Sequence, residues 1–261
     1  MGGTRTASEL GRVTTKIEDL VARIELRHPP LNIIDVPMME ELAATLTEIE
    51  SRPDVTIILI SGEGKTFSAG VDVAAHTPDK VEQMLAKFHA VIRYLVATKK
   101  VTIATIHGHC LGGGAELAMV CDIVYTAEDA QWGFPEIKLG CYPPVACAAL
   151  AALVGQKRAS ELILTGRSIS GKEAAQIGLA TAAVAGDPHS AVEECVRHLL
   201  QLSPAALAVT KKALYAWDSI HFDKGLARAE KIYFEDLMKT SDAHEGIRAF
   251  MEKRAPKWTR R

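Results

Sequence analysis

No C-x-x-C pair occurs among the five cysteines (Cys110, Cys121, Cys141, Cys147 and Cys195), and an odd number fits no closed disulfide framework. Their spacing offers no zinc site either. Reduced, mostly buried thiols, no bound metal and a cytoplasmic compartment are expected. Net charge is only −2, which leaves no basic footprint for nucleic acid or an anionic membrane surface. The longest mainly apolar stretch, 141–154, is too short to cross a bilayer, so it predicts a buried helix instead. The first ten residues lack the apolar core of a signal peptide, and a frayed N-terminus is expected over 1–11. No linker rich in Gly, Ser or Pro and no internal repeat breaks the chain. What is there is ordinary for a globular enzyme: 261 residues, 48% hydrophobic and 24% charged, enough to bury a sizeable core.

Apolar residues alternate over 20–26, a period of two that predicts a strand. Asp35 can cap a helix with Pro37 in its first turn, and Met39, Leu42, Leu46 and Ile49 form its apolar stripe. The β-branched run 55–60 predicts a strand buried on both faces. A helix is expected from Thr77-Pro78, with Val81, Leu85, Phe88, Ile92 and Leu95 on one face. A strand over 101–106, a Gly-rich turn, an apolar helix and a strand over 122–126 follow. This alternation predicts an α/β fold with a mainly parallel sheet, a core spanning 12–185. Segments 190–202, 204–217, 222–239 and 242–253 all read as helices, so 186–261 is expected to form a helical C-terminal region acting as a lid or an oligomerisation element.

Several catalytic signatures fail on spacing. Gly64-Lys65-Thr66 resembles the end of a P-loop, but Leu59 stands where its first glycine is required. Ser68 sits in a near nucleophile elbow whose leading glycine is replaced by Thr66. Gly108 and the triplet Gly112-Gly113-Gly114 do not make G-x-G-x-x-G. His107 and His109 have no carboxylate at metal-ligand spacing and read as packing or loop residues.

Two glycine-containing turns survive: 68–72, and 111–116 with its glycine triplet. Each follows a buried strand, so in a parallel sheet both emerge at the C-terminal edge, where α/β proteins place ligands. Glycines let a ligand approach backbone N–H groups, and the second turn opens a helix with free N–H groups. Two converging donors would form an oxyanion hole. The same glycines would equally serve close strand–helix packing. Glu116, in the first turn of an apolar helix, and Glu136, after Trp132-Gly133-Phe134-Pro135, are costly there unless paired or functional.

Ser68-Ala69-Gly70-Val71-Asp72, Leu111-Gly112-Gly113-Gly114-Ala115-Glu116 and Phe134-Pro135-Glu136-Ile137 together resemble the enoyl-CoA hydratase (crotonase) superfamily. The resemblance continues through Leu164-Thr165-Gly166, residues 174–179 and residues 249–254, nearly the whole chain beyond residue 12. It implies a crotonase-like spiral of ββα units with a C-terminal helical region that builds trimers, often paired into hexamers. It implies further that the N–H groups of Val71 and Gly113 polarise a CoA thioester carbonyl, with Ala69, Gly70 and Asp72 beside the CoA. Glu116 would activate water and Glu136 would exchange a proton with the substrate carbon. No cofactor is implied beyond the CoA of the substrate. The CoA phosphates need cations, for which Lys253, Arg254 and Lys257 are candidates; a solvated basic tail is the other reading of these three.

After Glu136 the chain departs from the common hydratase pattern, with Gly140-Cys141-Tyr142-Pro143-Pro144-Val145-Ala146-Cys147. The stiff Pro143-Pro144 pair is expected to reshape the acyl pocket. Together with residues 71–80 it looks like the branch that hydrates cyclohexa-1,5-diene-1-carbonyl-CoA in aromatic-compound degradation. A general short-chain enoyl-CoA hydratase, an isomerase and a non-catalytic CoA-thioester-binding protein are the alternatives. Isomerases of the family commonly lack a glutamate at the Glu116 position, so the intact pair favours hydration.

Overall fold

The computed structural model describes residues 11–215 and 218–258, the side chains of 218–221 excepted. In chain order the elements are β1 (Val13–Glu18), β2 (Val21–Leu26), α1 (Val36–Glu50), β3 (Ile57–Gly62), α2 (Val81–Ala97), β4 (Val101–Ile106), β5 (His109–Leu111), α3 (Gly113–Met119), β6 (Ile123–Ala127) and β7 (Gln131–Gly133). Then come α4 (Pro144–Val154), α5 (Gln156–Thr165), β8 (Ser168–Ser170), α6 (Gly171–Gln176), β9 (Ala182–Val184), α7 (His189–Leu199), α8 (Pro204–Tyr215), α9 (Asp218–Glu235) and α10 (Ser241–Met251).

The main sheet has the order β1-β2-β3-β4-β6-β9, parallel throughout except for the β1–β2 hairpin. Leu20 does not join the strand expected over 20–26. It sits in the hairpin turn at φ 66°, exposed, because the left-handed turn takes it out of the alternation. The β-branched run at β3 is buried on both faces, as its composition predicts. Ile58 and Ile60 join the large core formed with α1 and α2, whereas Ile57 and Leu59 pack with Val101, Ile103 and Val192, Val196 and Leu199 of α7. The first helix of the C-terminal region therefore covers the outer face of the sheet.

Local signals account for α1. The Asp35 side chain accepts from the Met38 N–H at 3.0 Å, and Met39, Leu42, Leu46 and Ile49 are all buried. The next helix begins four residues later than expected. Thr77 O accepts from both Lys80 N and Val81 N, closing a turn before α2 starts. The apolar stretch 141–154 yields α4, but only its first turn and Leu150 are buried; Cys147 and Leu153 are exposed.

A second, smaller sheet, β5-β7-β8, is the element that short spacing conceals in the sequence. β5 and β7 run parallel, and isolated parallel bridges Ile34–Val71 and Ser68–Cys110 extend the layer across the loops after β2 and β3. The chain thus repeats main-sheet strand, second-layer strand, helix: β4-β5-α3 and β6-β7-α4 in full, with the middle strand reduced to a bridge in the two preceding units. This is the ββα spiral of the crotonase fold.

Candidate active site

The second layer gathers the site residues, because each follows one of its parallel strands. Val71 comes after the Ser68 bridge, Gly112 to Glu116 after β5, and Glu136 on a 3-10 turn (Pro135–Leu139) after β7. The ladder continues into the turn: Leu111 N–H donates to Ser68 O at 3.0 Å and Gly112 N–H to Gly133 O at 2.9 Å. All reach one edge of the layer together.

The first turn is pinned from beneath. Asn32, fully buried at φ 47°, donates to Glu63 O and Thr66 O and accepts from His28 N–H. Ser68 Oγ donates to Asn32 O at 2.7 Å and accepts from Gly70 N–H at 3.1 Å. With both roles taken and no exposed surface, Ser68 is a scaffold hydroxyl and not a nucleophile. Asn32 carries no sequence motif; only its context in the fold reveals it. His107 lies just beyond β4 with its Nε2 at 3.0 Å from Gly64 O, and His109 opens β5; among the described residues neither belongs to a cluster that could hold a metal ion.

At the glycine triplet, backbone and carboxylate meet without room for a side chain. A Cβ on Gly113 would stand 2.5 Å from Val71 Cγ2 and 3.4 Å from Val71 N, so the two main-chain segments are in contact. Among the described residues, neither Val71 N–H nor Gly113 N–H donates to a main-chain carbonyl. Gly112 has φ 51°, and a Cβ there would lie 2.7 Å from Glu136 Oε1.

Glu116 and Glu136 line one cavity with Val71, Phe88, Pro143 and Tyr233 among its other walls. Their environments differ. Glu116 is buried, and its Oε1 accepts from the Ala146 N–H at 2.9 Å, with the Val145 N–H also directed at the carboxylate. These are first-turn amides of α4, otherwise uncapped, so Glu116 supplies the cap from another helix. Glu136 draws on no helix end, only on its own backbone N–H, and its Oε2 is buried with no hydrogen-bond partner among the described residues. Burial raises both carboxyls above the usual carboxylate range. For Glu116 the α4 amides pull back; for Glu136 the charge of Glu116 pushes further up. The hydrogen bonds thus favour the charged form of Glu116 more than that of Glu136.

The remaining expected residues fall in two groups. Ala69 N–H bonds Leu31 O, Gly70 O accepts from Ile34 N–H, and Asp72 caps the 3-10 turn Val73–His76 through Ala74 N–H. All three serve the loop's backbone; Ala69 and Gly70 line the cavity, and Asp72 stands between its wall residues Val71 and Val73. Beyond α10, Lys253 is exposed at φ 53° and Lys257 N–H bonds Glu245. Arg254 is engaged by Glu245 and Glu252, which holds the Glu245 carboxyl far below its ordinary range. Ala146 and Tyr233 carry no signal in the sequence: one acts through its amide, which no residue type marks, and the other lies in a helix far along the chain.

Two layers in a ββα spiral, with paired carboxylates and two free N–H groups on one edge, define an enzyme of the crotonase class. The enoyl-CoA hydratase/isomerase family matches residues 16–261. The chain is 34% identical to cyclohexa-1,5-dienecarbonyl-CoA hydratase of Thauera aromatica over 256 residues, covering 98% of this chain and 99% of the relative. It is 35% identical to a probable enoyl-CoA hydratase of Bacillus subtilis over 257 residues, 95% of this chain and 99% of that one. The crystal structure of an enoyl-CoA hydratase from Mycobacterium avium subsp. paratuberculosis superposes with a TM-score of 0.86 at 27% identity, covering 96% of this chain and 99% of the other. The chain belongs to the enoyl-CoA hydratase/isomerase family. It is a hydratase, a carbon–oxygen lyase of CoA-thioester metabolism. No helix among the described residues is long and apolar enough to cross a membrane.

Proposed function

We propose that the chain adds water to a conjugated cyclic dienoyl thioester, cyclohexa-1,5-diene-1-carbonyl-CoA. Water adds poorly to an alkene until the conjugated carbonyl can take up charge as an enolate. The thioester oxygen lies between the N–H groups of Val71 and Gly113, and loss of one such donor typically costs about 3–4 kcal/mol in the barrier. Glu116, ionised, takes the proton of the attacking water; Glu136, protonated, delivers one to the substrate carbon. The observation that carries this division is the unequal hydrogen bonding of two buried carboxyls on one cavity: α4 amides for Glu116, none for Glu136 Oε2. The scheme requires no metal or redox cofactor, because the N–H pair takes up the enolate charge.

The choice of acyl group rests on likeness to the Thauera aromatica hydratase and on Pro143 and Pro144, which stand in the cavity wall beside Tyr142 and Tyr233. CoA runs past Ala69, Gly70 and Asp72, with Lys253 and Lys257 near its phosphates. The working unit is a homotrimer or a dimer of trimers in the cytoplasm. Likeness to the Bacillus subtilis relative favours a second reading, a general short-chain enoyl-CoA hydratase.

Crotonyl-CoA and the cyclic dienoyl-CoA, each incubated with purified protein, separate these readings by product mass. Gain of one water on the cyclic substrate is expected. Hydration of crotonyl-CoA alone would select the general hydratase, and mass-neutral conversion of either would overturn hydration.

A further inference from the structure

The hydration scheme leaves one polar group in the cavity idle. Tyr233 of α9 is 1% exposed and lines the same cavity as Glu136, yet its hydroxyl has no nitrogen or oxygen hydrogen-bond partner among the described residues. Among the described residues only the Cys141 thiol, a weak acceptor, stands near enough to act on it as a partner. A buried hydroxyl left unmade is destabilising, and a phenylalanine would fill the same space without that cost.

The hydroxyl cannot swing out to water, because the ring is clamped. Tyr142 meets it edge-on at 5.2 Å between centroids, and Tyr142 is itself fixed by donating to Ala229 O at 2.6 Å. Phe234 packs at 5.9 Å on another side. Three residues before Tyr233, Glu230 holds α9 to α2 through the buried His89 Nδ1 at 2.6 Å and through Arg93 at 3.1 Å. Two polar atoms of residues lining one cavity, Tyr233 Oη and Glu136 Oε2, thus lack a nitrogen or oxygen partner among the described residues.

We propose that Tyr233 is a specificity-determining residue: its hydroxyl, with Glu136 Oε2, binds the entering water and the acyl hydroxyl group that this water becomes. The inference rests on the hydration reading and adds a recognition site for the hydroxylated product. The Tyr233 hydroxyl can donate to that oxygen or accept from it, so it serves the reaction in either direction. Tyr233 then discriminates a hydroxyacyl thioester from the same thioester without its hydroxyl.

The test uses the full chain with Glu116→Gln in both arms, which stops turnover during titration. Dissociation constants are measured by calorimetry, with and without Tyr233→Phe, for two matched pairs. These are 3-hydroxybutyryl-CoA against butyryl-CoA, and hydroxycyclohexenecarbonyl-CoA against cyclohexenecarbonyl-CoA. Tyr233→Phe is expected to reduce the preference for the hydroxylated member about five- to tenfold while leaving the deoxy member unchanged. Its melting temperature is expected to be equal or higher. An unchanged preference in both pairs would overturn the proposal, and so would equal weakening of both members, which marks a packing role. Loss of preference in the straight-chain pair alone, with the cyclic pair unbound, would support Tyr233 and reject the cyclic substrate. Normal hydration by the native chain, with an unchanged preference in the Glu116→Gln background, would reject Tyr233 and keep the hydratase reading.

Discussion

Gly112→Ala should separate the cost of a strained backbone from the cost of a misplaced catalytic group. Gly112 turns the chain from β5 into α3 at φ 51° and ψ −128°, and an added Cβ would stand 2.7 Å from Glu136 Oε1 and 3.5 Å from its Cδ. Alanine in that region costs about 1–3 kcal/mol of backbone strain. The clash itself adds little to stability, because the displaced atom is the tip of a flexible side chain. Its effect falls on the reaction: moving a reacting group by about 1 Å costs on the order of 100-fold in rate. Gly64 supplies the control. It has φ 79°, and nothing lies within 4 Å of an added Cβ, so Gly64→Ala takes the backbone penalty without touching the site. Both variants should melt roughly 2–10 °C lower. Only Gly112→Ala should lose kcat, followed through the absorbance of the enoyl thioester. A Gly112→Ala enzyme within about threefold of the native rate, or a Gly64→Ala enzyme equally impaired, would refute the placement of Glu136 over Gly112.

Two further outcomes follow from the charged groups. The proposed scheme requires Glu116 ionised and Glu136 protonated, so the pH–rate profile should be bell-shaped with both limbs above the ordinary carboxylate range. Burial raises the Glu136 pKa on folding, so its contribution to stability is full below the unfolded value of about 4.3 and is lost as pH rises through the folded one. Glu136→Gln removes that titration: its melting advantage over the native chain should grow from acid to alkaline pH, and a constant difference would count against the assignment. Separately, buried Lys211 of α8 pairs with Asp122 at 2.7 Å, where Asp122 also holds Thr102 N–H and Oγ1. Lys211→Met strands the Asp122 charge, at about 3–5 kcal/mol, and should lower melting by roughly 6–20 °C with kcat unchanged. A melt unchanged by the substitution would show that the pair contributes nothing.

Elements with a long repeating signal are legible in the amino-acid order itself. The Met39, Leu42, Leu46 and Ile49 stripe, the Asp35 cap and the two-sided β3 strand each depend on contacts within a few residues or on full burial, and both leave a period or a composition behind. β5, β7 and β8 have three residues each, too few to establish a period, so the second layer leaves no mark in the sequence although it organises the site. Leu20 fits the alternation yet leaves the strand, because a left-handed turn is set by the hairpin and not by hydrophobicity. The glutamates and glycine turns stand out because a carboxylate in an apolar helix or a glycine triplet is costly unless used. Asn32 and Tyr233 stand out in nothing: their roles come from where main-chain carbonyls and cavity walls lie in space.

Pro143 and Pro144 show how a residue can be recognised for one property and matter through another. Their stiffness predicts a reshaped acyl pocket, and both do border the cavity. Their second consequence is electrostatic. Proline has no N–H, so at Pro144, the first position of α4, it takes no donor from the helix end; the free amides are those of Val145 and Ala146, and these point at Glu116. A fixed entry angle thus aims the positive end of α4 at Glu116, the base of the proposed scheme, while Glu136, on a 3-10 turn, faces no helix end. The same two prolines shape the space for the acyl group and bias which glutamate bears the charge. Under the proposed scheme acyl specificity and acid–base order are therefore coupled, and changing the pocket at this segment should also shift the pH profile.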